Sequence, residues 1–112
     1  MDAVETYFAI FAERDAAGRR ALIEASWAPD ATITLGERRI EGREALIREV
    51  EAFRAAAPVD EPRLAGPVRW SGNWFCFDAE IARPDGSVYN EVIDIGELAP
   101  DGSIAQIVTF PK

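Results

Sequence analysis

After the connection through Pro62 and Pro67 the hydrophobic pattern of this chain passes from a mostly helical spacing of about 3.6 residues to a sustained period of 2, and that switch restricts the fold more than any single motif. Ahead of it, Val4, Tyr7, Phe8, Phe11 and Ala12 recur at helical spacing, which predicts a first amphipathic helix over about Asp2 to Arg14. Asp15 is placed to cap a second helix that turns Leu22, Ile23, Ser26 and Trp27 inward and stops at Pro29-Asp30. A short β-branched segment, Ala31 to Leu35, is followed by a turn at Gly36-Glu37-Arg38-Arg39 and by Ile40, so it reads as a hairpin-like pair of strands. Leu46, Ile47, Val50 and Phe53 then give a third helix over Arg43 to about Ala56. After a connection through Pro62 and Pro67, strands are expected at Val68–Trp70, Trp74–Ala82, Val88–Leu98 and Ile104–Phe110. The turns Pro84-Asp85-Gly86 and Pro100-Asp101-Gly102 supply the positive φ values that tight reversals need.

Helices followed by a mostly antiparallel sheet make an α+β fold, and 112 residues are the size of one domain, 1–112. With 48% hydrophobic residues there is enough apolar material for one core. No run approaches the ~20 apolar residues of a membrane span. The start, Met1-Asp2-Ala3-Val4-Glu5, lacks the basic and apolar regions of a secretory signal, which points to a cytoplasmic protein. A net charge of -8 repels phosphate backbones and anionic lipid surfaces alike, so neither nucleic acid nor membrane is an expected partner. The basic doublets Arg19-Arg20 and Arg38-Arg39 read as solvated surface.

The chain has no histidine, which removes the Ser/His/Asp and Cys/His nucleophilic arrangements and the commonest zinc ligand. Its one cysteine, Cys76, lies in the apolar run Trp74-Phe75-Cys76-Phe77 and reads as a small buried hydrophobe. No metal or cofactor is expected. Chemistry, if present, rests on carboxylates and tyrosine. The strand from Val88 to Leu98 carries the main oddity. One parity class is Val88, Asn90, Val92, Asp94, Gly96 and Leu98, the other Tyr89, Glu91, Ile93, Ile95 and Glu97. Either face could be the buried one. If the first is inside, Asp94 is a carboxyl group in an apolar cavity with a raised pKa, able to donate a hydrogen bond. If it is outside, Asp94 is simply solvated. Tyr7, on the apolar stripe of the first helix, poses the same question of core residue or site residue. In the strand before, Phe75, Phe77, Ala79 and Ile81 form an apolar face, while Asp78 and Glu80 are expected on the solvated side.

Three segments together resemble a known family. They are Trp27-Ala28-Pro29-Asp30-Ala31-Thr32-Ile33, Ile40-Glu41-Gly42-Arg43-Glu44-Ala45-Leu46-Ile47, and Val92-Ile93-Asp94-Ile95 with Asp101-Gly102-Ser103-Ile104 beyond it. The resemblance is to the nuclear transport factor 2-like superfamily, which includes ketosteroid isomerases and SnoaL-like polyketide cyclases. It implies a cone-shaped curved sheet wrapped around three N-terminal helices, a cystatin-like roll, with a ligand-sized hydrophobic pocket. It also places Tyr7 where the isomerases have an oxyanion-hole tyrosine and Asp94 where they have a protonated aspartic acid, turned inward. Leu35, Asn90, Trp27, Phe53 and Val92 are expected to line the ligand. The general base of the isomerases falls five residues after the aspartate of the Asp-Ala-Thr segment, and that count from Asp30 reaches Leu35, which accepts no proton. Glu37, two residues on, reads as a solvated turn residue. The Asp-Arg-Asp set of the superfamily's epoxide hydrolases has no counterpart at Phe77-Asp78-Ala79-Glu80, and scytalone dehydratase-like sites need histidine.

Two functional classes follow from the resemblance. One is an isomerase, cyclase or lyase acting on a small apolar carbonyl compound through Tyr7 and Asp94. The other is a non-catalytic ligand-binding or dimerisation module of the same fold. The residues also allow a pure interaction domain pairing through the outer face of the sheet with Trp70, Trp74 and Tyr89 as anchors, and a homodimer is compatible with all three.

Overall fold

In the computed structural model, which describes residues 2–112, the elements run α1 (Ala3–Ala12), α2 (Ala16–Ser26), β1 (Trp27–Leu35), β2 (Arg38–Glu41), α3 (Arg43–Ala56), β3 (Glu61–Leu64), β4 (Arg69–Ser71), β5 (Trp74–Ala82), β6 (Val88–Leu98) and β7 (Ile104–Pro111). The strands form one seven-stranded sheet in the order β2-β1-β7-β6-β5-β3, with β4 pairing on β5 beside β3. Every pairing is antiparallel except β1 with β7, where the chain returns after the long α3 and β3–β6 excursion. The α+β roll expected from the sequence is the fold.

Local chemistry sets the helix ends. Asp2 accepts from the Glu5 N–H at 2.8 Å and Asp15 from the Gly18 N–H at 3.1 Å, each satisfying one orphan donor of a first turn. The second helix stops at Ser26, three residues before Pro29, and Trp27 to Asp30 already belong to β1. Proline disfavours helical geometry at the residue ahead of it, so Ala28 is driven to extended backbone. Trp27, extended at φ -110 and ψ 140, closes the helix through its N–H to the Ile23 carbonyl. Between Trp27 and Thr32 the register with β7 shifts, so Pro29 sits in an irregular stretch of strand where its missing N–H costs no ladder bond. The turn before β2 is tighter than the sequence suggests, with Arg38 and Arg39 inside the strand.

The core lies between the sheet's concave face and the helices. Its fully buried large side chains are Ile10, Ile23, Trp27, Phe75, Phe77, Ile104 and Ile107. Burying each contributes roughly 1.5–3 kcal/mol against unfolding. Arg19 is buried as well, contrary to its reading as surface. Its guanidinium makes two 2.7 Å bonds to Glu51 and one of 2.9 Å to the Glu13 carbonyl, tying α2 to α3 and to the end of α1. A planar fork that can satisfy so many partners is the cation suited to burial. Cys76 is half-buried on the convex face, next to the Arg69 guanidinium, because it alternates with the inward Phe75 and Phe77.

Candidate functional site

Inward residues of neighbouring strands stand in rows across the sheet. One row runs Leu35 (β1), Thr109 (β7), Asp94 (β6) and Phe77 (β5), each directly opposite the next in register. The row behind it holds Ile33, Ile107, Gly96 and Phe75, all buried, with Ile33 reaching the cavity wall. Gly96 is needed there, since a Cβ would fall 2.1 Å from the Phe75 ring carbon Cζ. In front of the Asp94 row the sheet and helices separate, leaving a cavity of ≈ 410 Å³.

The pattern of β6 is thereby resolved: Asp94 and Gly96 face inward, and Asp94 is 3% exposed. It accepts a hydrogen bond from the Thr109 hydroxyl across the strand pair. Burial pushes its carboxyl pKa up to about 6, against a smaller downward pull from Thr109. Tyr7 reaches the same row from α1, its ring 6.2 Å from Phe77 and 5.8 Å from Trp27 between centroids. Among the described residues the Tyr7 hydroxyl has no hydrogen-bond partner. Burial, and secondarily the Asp94 charge, raise its pKa above the ordinary tyrosine value, so it stays a neutral donor at any working pH.

Tyr7, Trp27, Leu35, Phe53, Asn90, Val92 and Asp94 all line this one cavity. Trp27 is 1% exposed and packs against Tyr7 with the two rings tilted by 44°, and its indole N–H is buried without a partner among the described residues. Phe53 meets Phe11 edge-on at 5.7 Å, joining α3 to α1 over the cavity. Asn90 stands at the exposed rim in left-handed backbone, φ 54, at a bulge between β5 and β6. Asparagine is among the few residues that tolerate that geometry. Glu37 is exposed and does not line the cavity.

Three polar lining residues were not foreseen as site residues. Thr109 was missed because β7 is bulged near its start: Ile104 and Ile107 are both buried, three residues apart, and strict alternation from Ile104 would turn Thr109 outward. Glu80 lines the cavity rim beside Ile81 instead of standing on the solvated side, opposite the bulge in β6, and pairs with Arg63 at 2.8 Å. Glu49 reaches the rim from α3, paired with Arg38. Of the three proposed aromatic anchors, only Trp74 lies on the convex face. Trp70 stands opposite the inward Phe75, with 5.4 Å between ring centroids. Tyr89 donates to Asp60 and lies under the Arg83 guanidinium.

No family model and no curated protein matches the sequence. Solved structures do. A SnoaL-like family protein from Agrobacterium tumefaciens, named for an isomerase, is 28% identical, with a TM-score of 0.90 over 98% of this chain and 94% of that one. A nuclear transport factor 2-like protein of unknown function from Exiguobacterium is 25% identical, with a TM-score of 0.74 over 98% of both chains. The chain belongs to the nuclear transport factor 2-like superfamily. A protein from Sinorhizobium meliloti named for a polyketide cyclase shares the superfamily fold at 21% identity and a TM-score of 0.76, over 96% of this chain and 93% of that one. Members of this superfamily thus carry isomerase and cyclase names on the same roll, and the roll alone does not choose between them. Among the described residues, no group of three His, Cys, Asp or Glu is disposed to hold a metal ion, and no helix is long and apolar enough to cross a membrane.

Proposed function

We propose that this chain is a small-molecule pocket protein of the SnoaL-like type, acting as an isomerase, cyclase or lyase on an apolar carbonyl compound. The observation that carries this reading is a titratable carboxyl group, Asp94, buried beside the neutral phenol of Tyr7 at the back of an apolar cavity. A carbonyl oxygen lodged there accepts from the Tyr7 hydroxyl and, in the acid form, from Asp94. Negative charge that develops on that oxygen as an enolate forms is stabilised by donors already in place in a low-dielectric site. With a pKa of about 6, Asp94 supplies both protonation states near neutrality.

Leu35 cannot take the proton that leaves the substrate carbon, so the acceptors available in the lining are the Asp94 carboxylate, Glu49 and Glu80. That same leucine favours a second reading, a binding module with this pocket and no turnover. A β,γ-unsaturated bicyclic ketone separates the two. Conversion to the conjugated enone, followed in the ultraviolet and lost in Asp94→Asn and Tyr7→Phe, supports the enzyme. Saturable binding without conversion leaves the module, and absence of binding sinks both readings.

Residues Trp74, Cys76, Ile93, Ile95, Val108 and Phe110 make an apolar stripe on the convex face. We propose that a second copy of the chain covers it, giving a homodimer. An unchanged elution volume for Ile95→Glu on size exclusion would count against this. The acidic balance disfavours nucleic acid and anionic membranes, and the protein is assigned to the cytoplasm. Retention on heparin at low salt, or recovery in an exported fraction, would overturn these assignments.

A further inference from the structure

The Asp94 carboxylate is an acceptor that the protein leaves incomplete. It has room for about four hydrogen bonds, and among the described residues it receives one, from Thr109. Among the described residues no arginine or lysine lines the cavity, and Asp94 takes part in no ion pair. A buried carboxylate is stabilised either by a proton or by a countercharge. Tyr7 lies within reach of the Asp94 charge and Phe77 stands opposite Asp94 in register, the rings of Phe8 and Trp27 pack on those two with neighbouring centroids 5.3 to 6.2 Å apart, and aromatic faces attract cations.

We propose that the cavity binds protonated apolar amines, with the ammonium group seated on the Asp94 carboxylate among these rings and the hydrocarbon body filling the apolar front of the pocket. This rests on the reading of the cavity as a ligand site, but it assigns a second ligand class to the opposite protonation state. A carbonyl ligand takes the acid form of Asp94 and an ammonium ligand takes its carboxylate.

The other groups facing Asp94 reinforce the choice. From α1, Tyr7 is neutral and its oxygen can accept a second ammonium hydrogen. From β1 and β7, Leu35 and Thr109 carry no charge. Glu49 from α3 and Glu80 from β5 stand at the rim with Arg38 and Arg63 as partners, so neither places a net positive charge in the ligand's path. The molecule's charge of -8 favours approach of a cation.

The test uses two ligands of one carbon skeleton, 2-decalone and decahydro-2-naphthylamine, titrated by calorimetry against wild type and Asp94→Asn from about pH 5 to about pH 8. The amine stays protonated throughout, as alkylammonium groups lose their proton only near ~10. Wild type is expected to bind the amine with constant affinity well above pH 6 and to lose about tenfold per unit below it. The ketone is expected to do the reverse. Asp94→Asn, which keeps shape and a donor, should retain the ketone with no pH dependence and weaken amine binding by at least about tenfold. Ketone binding without amine binding, equal amine affinity in both proteins, or a flat amine profile each overturns the amine inference and leaves the pocket reading standing. Failure of both ligands on a folded protein overturns both.

Discussion

Ionising a carboxyl group that is 3% exposed opposes folding, because the charge loses more solvation than one hydroxyl donor returns. Asp94 therefore imposes a pH dependence of a known sign. Between its ordinary pKa of 3.8 and the folded value of about 6, the native state holds a proton that the unfolded state has released. Stability falls as pH rises through that window, by about 3 kcal/mol in all. Asp94→Asn removes the titration, so its urea midpoint should exceed that of wild type above pH 6 and converge with it below about pH 4. Thr109 acts on the same equilibrium by donating to the ionised form. Thr109→Val should raise the Asp94 pKa by about one unit, and Thr109→Ser should restore it, read by carboxyl-carbon NMR titration. Asp94 was visible in the sequence as an oddity, yet its direction was not, since both faces of Val88–Leu98 carry polar residues. The resemblance pointed it inward, and the register with Phe77 and Thr109 places it there.

At the scale of elements, local signals were read well where they are local. Asp15 was expected to cap α2 and does, so Asp15→Ala should lower stability by about 1 kcal/mol in thermal or urea melts. The span of α3 and the strands Trp74–Ala82 and Val88–Leu98 follow from periodicity bounded by turn residues. β3 was passed over because Pro62 argues against a central strand. It is an edge strand, the setting in which proline is tolerated. A bulge in β7 defeated simple alternation at Thr109, since an extra residue moves everything beyond it to the other face. Gly96 is a packing requirement of the β5–β6 pair. Gly96→Ala would drive a methyl group into Phe75, both backbones being held in the sheet, and should cost about 1–3 kcal/mol or more by urea melt.

Across the whole molecule, the sheet's order sets a gradient of local stability. β1, β7, β6 and β5 are each paired on both sides, whereas β2, β3 and β4 are short and paired on one. Amide exchange should be slowest near Ile107 and Phe77 and fastest in Glu61–Leu64 and Arg69–Ser71. Equal protection of β3 and β7 would contradict this ordering. Caps, turns and periodicity act over a few residues, so the three helices, most of the strands and the α+β order were legible in the sequence. The lack of histidine was legible there too, while Tyr7 and Asp94 were singled out as candidates by the resemblance. Strand pairing and packing were needed to show which face of β6 is inside, that β1 lies parallel to β7, that Arg19 is buried on Glu51, and that Thr109 joins Asp94. Those features depend on pairing register, bulges and sheet closure between residues far apart in the chain, and no local pattern encodes them.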